Sequence, residues 1–358
     1  MKLLSIELFG QYKGLKDQAF DFSTVQGDVA VIIGANGSGK SQVMELIAEA
    51  FAFLERRQRQ DFRVRAPLGY DFRVTYEMAS SRYEGLRRFT VDTRDRLRIA
   101  VHQLADQPRD GVAQPAQRTW SEITADGSLE ELALPRVIGY ASGISENLQR
   151  AFMRNALQYF DVIRVRSNLK KELAQPNVAE QATLTINERF LRRNPGIFAA
   201  EGGDPESGLF RLRETDTAIP SNLFLDYDCA ALLIALLGML PHADRDAVWD
   251  EIPFRHPARV VLRYDLRGQA TASDNARDIK RLIELAGPNR CTPISPRTSE
   301  PEYELLELDY LAGDIEIDFQ DPEVIRRMAD NLREPDQWFS ALYKLQLLGV
   351  DEWSGTAK

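Results

Sequence analysis

Residues 29–42 read Val29-Ala30-Val31-Ile32-Ile33-Gly34-Ala35-Asn36-Gly37-Ser38-Gly39-Lys40-Ser41-Gln42, and the fold turns on them. The continuous apolar run Val29 to Ile33 predicts a strand buried on both faces of a sheet. Gly34 to Ser41 matches GxxxxGK[ST], the spacing of a phosphate-binding loop. Beyond it, Met44, Ile47, Ala48 and Phe51 recur at i, i+3, i+4 and i+7, which predicts a helix with one apolar face. Strand, loop and helix in that order form the context the motif needs. Glycines let backbone N–H groups turn toward phosphate oxygens, and the helix N-terminus adds the positive end of its dipole. Lys40 is expected to reach the β- and γ-phosphates of a nucleoside triphosphate, and Ser41 to place its hydroxyl on Mg²⁺. Spacing excludes a dinucleotide loop, because Gly34, Gly37 and Gly39 run G-x-x-G-x-G.

Upstream, Ile6 and Leu8 alternate with Ser5 and Glu7, and Gln18 to Phe22 alternates again, so two strands are expected. Downstream, Phe72–Met78 and Arg88–Val91 predict antiparallel strands with one wet face, Arg96–His102 a further strand, and Gln103–Gln117 a polar loop. Pro135–Tyr140 predicts a short buried strand. A helix is expected from Ser142–Ser145 to about Phe160, and residues 161–222 look like an insertion. Asn222–Leu240 is expected to be helical after its first residues. Ala258–Leu266 predicts a strand and Asp274–Leu285 an amphipathic helix. Tyr303–Leu308 and Asp314–Phe319 are expected to pair as strands around Gly313. Pro322–Leu332 and Trp338–Leu348 predict helices.

Composition narrows the classes. The chain has 358 residues, which suits one large or two ordinary domains. With 44% hydrophobic residues it can bury a core. Cys229 and Cys291 are too few for a disulfide scaffold or a CxxC zinc site, and His102, His242 and His256 are scattered. The longest apolar run, Cys229–Leu240, is too short for a membrane span. With 45 Lys+Arg against 54 Asp+Glu, the net charge of −9 argues against a uniformly basic nucleic-acid binder. The charge is polar along the chain. Leu54–Arg98 holds twelve arginines and seven acids, and Glu300–Asp336 thirteen acids and three basic residues. Both are read first as solvated faces, with Asp61, Asp71, Asp92 and Asp95 pairing locally in the arginine-rich stretch.

The inner letters of the loop, Gly34-Ala35-Asn36-Gly37-Ser38-Gly39-Lys40-Ser41, resemble the form used by ATP-binding-cassette (ABC) ATPases, especially the SMC/RecF/OLD-like branch. Leu8–Leu15 and Phe20–Ser23 resemble the strand–turn–strand opening of that branch. Gly10 stands where relatives often carry an arginine, so that arginine's phosphate contact is not implied. Leu134–Gly143, and Leu223–Asp228 followed by an apolar helix, resemble bacterial restriction-system-associated AAA-type ATPases of phage-defence cassettes. The resemblance implies an α/β P-loop NTPase of ABC head type, a mixed sheet with an antiparallel β subdomain and a helical insertion. It implies ATP and Mg²⁺ as cofactors, with Gly34, Ala35, Asn36, Gly37, Ser38, Gly39, Lys40, Ser41 and Gln42 around the nucleotide and Ser41 on the metal. It also implies a homodimer with ATP sandwiched between heads, while the few cysteines and the lack of a membrane span or signal peptide lead to the expectation of a cytoplasmic setting. An effector nuclease, restriction-system proteins or DNA are the further partners it suggests.

Hydrolysis in such a head needs a signature loop and a Walker B strand. Tyr140–Ser145 is the nearest signature look-alike, and Leu223–Asp228, with Asp226 and Asp228, the nearest Walker B look-alike, against a capped helix start. Asp309 is a weaker metal candidate. Gln103 and Gln149 compete for a glutamine-loop role that nothing in their spacing decides. Tyr12 is an adenine-stacking candidate against a core or turn aromatic. No catalytic residue is assigned. In the resembled branch both missing motifs lie near the C-terminus of a longer chain. The expectation is therefore an N-terminal ATPase lobe over 1–140, a mainly helical insertion over 141–250, and an α+β segment over 251–358 leading to a further lobe. The competing function is a nucleotide-dependent switch that recruits an effector nuclease with little hydrolysis of its own. A GTPase is disfavoured, since no NKxD motif follows a strand.

Overall fold

The structure, a computed structural model, describes residues 1–27, 29–63, 67–80, 83–106, 118–124, 127–141, 146–175, 180–198, 217–225, 229, 233, 236–238, 258–269, 271–287, 289–331 and 338–347. The chain divides into two compact units, Met1–Asn155 with Pro220–Phe224, and Ala156–Ile219 with Leu225–Lys358. The architecture is mixed α/β, with antiparallel sheets and several helices.

The first unit opens with β1 (Lys2–Phe9), the hairpin β2 (Gln11–Tyr12) and β3 (Leu15–Lys16), and β4 (Ala19–Asp21). Helix α1 (Lys40–Gln58) follows, then β5 (Asp71–Ser80), β6 (Tyr83–Asp92), β7 (Arg98–Asp106) and β8 (Arg118–Thr124). Strand β9 (Val137–Tyr140), the start of α2 (Glu146–Leu173) and most of β10 (Asn222–Leu225) complete it. The main sheet runs β4-β1-β5-β6-β7-β8, and its pairs are antiparallel. Every second residue faces the core: Ile6 and Leu8, Phe72, Val74 and Tyr76, Phe89 and Val91, Ile99 and Val101. Each such side chain contributes about 1.5–3 kcal/mol on burial. The other face carries cross-strand ion pairs, Arg73 with Glu7 at 3.3 Å and Arg88 with Glu77 at 2.6 Å. Helix α1 packs Leu46, Phe51 and Leu54 onto the sheet, and the Phe51 ring meets Tyr76 edge-on at 5.3 Å.

Several expectations are corrected. Val29–Ile33 does not form a strand. Val29, Val31 and Ile33 are 76%, 74% and 88% exposed. A strand buried on both faces needs neighbours along both edges. No described strand pairs with this run; the main sheet ends in β4 on one edge and β8 on the other. Met44 is exposed rather than on the buried face of α1, which instead presents Val43, Leu46, Ala50 and Leu54. The polar segment from Gln103 is strand as far as Asp106, drawn into β7 by pairing with β8. Strand β9 is only half covered, since it pairs with β10 alone.

The second unit continues α2 to Leu173, well past Phe160, and adds α3 (Glu180–Arg193) and the single turn α4 (Pro195–Phe198). Next come β11 (Arg259–Asp265), α5 (Ala272–Ala286), β12 (Cys291–Pro293), α6 (Glu300–Leu306), β13 (Ala312–Asp318), α7 (Pro322–Asn331) and α8 (338–347). Its antiparallel sheet runs β11-β13-β12. The segment expected as strand 303–308 is helix up to Leu306. Ser299 precedes it, Pro301 sits in its first turn, and Glu300 and Glu302 favour the positive end of its dipole. The acidic pole is largely paired: Asp314 with Arg263, Glu316 with Arg290, and Glu307 with Lys280. Inside the unit, Lys344 is buried and donates to Asp278 Oδ2 at 2.8 Å and to the Asp274 carbonyl at 2.7 Å.

Candidate functional site

The glycine-rich loop spans Gly34–Gly39 and runs straight into α1. Gly37 and Gly39 hold φ of +82° and +89°, a left-handed conformation that a side chain would strain. Gly39 is the N-cap of α1 and has no side chain to satisfy the first helical N–H groups. Those of Lys40, Ser41 and Gln42 stand at the positive end of the helix dipole. Lys40 curls back over the loop, and its Nζ donates to the carbonyls of Gly34 at 2.8 Å and Ala35 at 2.7 Å. The loop is tightened by Ser38 N–H donating to the Ala35 carbonyl at 3.2 Å. Ser41 is exposed in the first turn of α1.

A brace of the loop lies in the β2–β3 hairpin, which sequence reading passed over as a turn. The Gly14 amide donates to Gln42 Oε1 at 3.2 Å, and Leu15 is buried with its Cδ2 against Gly39. Lys13 pairs with Glu45, one turn further along α1. A Cβ on Gly14 would lie 2.9 Å from Gln42 Oε1, the end of a flexible side chain that would have to shift aside. The only sequence signal was the position of Gly14 in a short turn upstream of the loop.

The far end of α1 is held by a second buried cluster that sequence reading did not find. Glu55, Arg56, Asn155 and Asn222 are all buried. Arg56 Nη1 donates to Asn155 Oδ1 at 2.6 Å, and Asn155 Nδ2 donates to Glu55 Oε2 at 2.6 Å. Asn222 Nδ2 donates to the same oxygen at 3.1 Å, and the Ser221 amide donates to Glu55 Oε1. Desolvation lowers the pKa of Arg56.

The remaining sequence candidates fall apart spatially. Tyr12 is buried and donates to Glu49 Oε2 at 3.3 Å, which fits a packing role. Gln103 lies on β7 and Gln149 on α2, on elements that are not part of the loop. Asp309 is an ion-pair partner of Arg297 at 3.2 Å. Ser142–Ser145, Asp226 and Asp228 lie outside the described residues. No cluster of three or more His, Cys, Asp or Glu side chains suited to a metal occurs among the described residues. The two cysteines are free thiols, and no described helix is long and apolar enough to cross a membrane.

In the first unit the glycine-rich loop leads directly into α1, beside an antiparallel sheet. A family model described as an AAA domain matches residues 1–91, which supports an AAA-type, SMC-like ATPase region at the N-terminus. Neither a curated protein nor a solved structure matches the chain.

Proposed function

We propose that the chain binds ATP with Mg²⁺ at Gly34–Gln42 as an ABC-type head. The observation that carries this reading is Lys40: its ammonium rests on two carbonyls of a loop whose left-handed glycines lead directly into an uncapped helix. The residues fit a polyphosphate. Lys40 would hold phosphate oxygens in place of the Gly34 and Ala35 carbonyls, and the first N–H groups of α1 would donate to the phosphates. Ser41 would hold Mg²⁺, which would supply positive charge against the phosphates. The exposed apolar run Val29, Val31 and Ile33 supports a surface that is covered when the head assembles. ATP-driven pairing of two heads is the arrangement this reading favours. The resemblance to restriction-system-associated ATPases is the sole support for a role in anti-phage defence or DNA metabolism. ATP affinity measured with and without Mg²⁺ tests the reading. Tighter binding with Mg²⁺, diminished in Ser41→Ala, is expected, and equal affinity in both conditions overturns it.

The same exposed run favours a second reading, a switch that orders on ATP and recruits an effector nuclease while hydrolysing little. Steady-state phosphate release with and without DNA separates the two. DNA-stimulated turnover supports the ATPase, and ATP binding without turnover supports the switch.

A further inference from the structure

A cleft of about 290 Å³ opens in the first unit, away from the loop. Glu49, one of its lining residues, is nine positions along α1 from Lys40, about 13 Å at the helical rise. One wall is the face of α2 that carries Asn147, Arg150 and Arg154, at i, i+3 and i+7. The other wall is Tyr12 and Tyr70, whose rings meet edge-on with centroids 5.0 Å apart.

The polar groups of the cleft divide into engaged and free. Glu49 is engaged: it accepts from Arg154 Nη1 at 2.7 Å and from Tyr12 Oη at 3.3 Å. That pairing offsets the carboxylate's charge. Arg150 and Asn147 are exposed on α2 and have no partner among the described residues. The Tyr70 hydroxyl is buried and likewise unpartnered, at a cost of about 1–3 kcal/mol for an unsatisfied buried group. Burial first, and the Glu49 charge second, push the Tyr70 phenol above its ordinary range, so it stays a donor. A guanidinium, an amide and a phenol without partners therefore converge on a concave site with an aromatic wall. Its volume sits at the lower end for small-molecule sites.

We propose that this cleft is a second ligand site, separate from the phosphate-binding loop. It takes a phosphorylated ring compound of nucleoside-monophosphate size. Arg150 and Asn147 hold the phosphate, the ring lies against Tyr70, which the buried Tyr12 backs edge-on, and the Tyr70 hydroxyl donates to the ligand. The guanidinium fork suits phosphate oxygens, and ring-on-aromatic contact tolerates different bases.

The test is calorimetric titration of the full chain with AMP, GMP, CMP and UMP, and with inorganic phosphate as the ring-free probe. At least one monophosphate is expected to bind one site more tightly than inorganic phosphate. Lys40→Ala is expected to leave this binding unchanged, and Arg150→Ala to weaken it about ten-fold or more. Tyr70→Phe keeps the ring and removes the donor, so a smaller loss is expected. Arg150 and Asn147 are exposed, so their variants should keep the wild-type melting temperature. Absence of binding by all four monophosphates overturns the proposal. So does binding lost in Lys40→Ala but kept in Arg150→Ala, which would assign it to the loop. Binding of a single-stranded oligonucleotide with no monophosphate binding would also overturn it, in favour of nucleic acid. Loss of ATP binding in Lys40→Ala with monophosphate binding intact would leave both sites standing and separate.

Discussion

The Gly14 amide donates to Gln42 Oε1 at 3.2 Å, tying a hairpin turn to the first turn of the helix that carries Lys40. The contact braces the loop through the Gln42 side chain and leaves the Gln42 backbone N–H free to face a phosphate. Gln42→Ala removes the acceptor and should weaken ATP binding by a few-fold, in line with about 0.5–1.5 kcal/mol for one hydrogen bond. Gly14→Ala should act in the same direction but less, by pushing aside the flexible Gln42 side chain that lies 2.9 Å from the new Cβ. Calorimetry on both variants checks this, and wild-type affinity in both would show that the hairpin does not position the loop.

Asn155 bridges Arg56 and Glu55 in the buried cluster under α1. Asn155→Leu leaves a buried cation and a buried carboxylate short of partners. It should destabilise the fold by about 3 kcal/mol. Urea denaturation monitored by circular dichroism reads the change. A loss under about 1 kcal/mol would mean that the cluster rearranges at little cost.

Asp92 accepts from both Arg94 and Arg73. Burial alone would raise its pKa, but those hydrogen bonds and charges outweigh burial and hold it at about 2. A carboxyl lowered in the folded state stabilises the protein above its unfolded value of about 4. That stabilisation should disappear as the pH falls from about 4 to about 2. Asp92→Asn should therefore flatten the acid limb of the stability curve in that window. An unchanged acid limb would exclude Asp92 as a contributor.

Val29, Val31 and Ile33 lie exposed beside a loop that reads as the end of a buried strand. If ATP assembles a complete head around them, their amides should exchange rapidly in the free protein and slowly with ATP and Mg²⁺. Hydrogen exchange by mass spectrometry on a peptide covering 29–33 reports this directly. Protection that does not change with nucleotide would remove the run from the account.

How much of this could be read from residues alone depends on where the physical partners lie. Phe72, Val74 and Tyr76 alternate with polar neighbours, and their burial followed because the alternation is local and the sheet is antiparallel. Residues 303–306 misled, since an alternating pattern competes there with a helix start after Ser299, where Pro301 and the acidic first turn favour helix. Val29–Ile33 misled for the opposite reason. Its composition is that of a buried strand, but burial depends on neighbours that its own sequence does not supply. The turn over Gly34–Gly39 and the helix start at Lys40 were legible because the motif couples glycine conformation to spacing. The Gly14–Gln42 brace was not, because it joins two segments that are 28 residues apart.

The central claim is that the loop ending at Lys40 binds ATP. Isothermal titration calorimetry of the wild-type chain and Lys40→Ala with Mg²⁺-ATP tests it most directly. The account predicts binding by the wild type and loss of it in Lys40→Ala at unchanged melting temperature, because Lys40 is a half-buried residue bonded to the loop alone. Equal ATP affinity in the two proteins would contradict it.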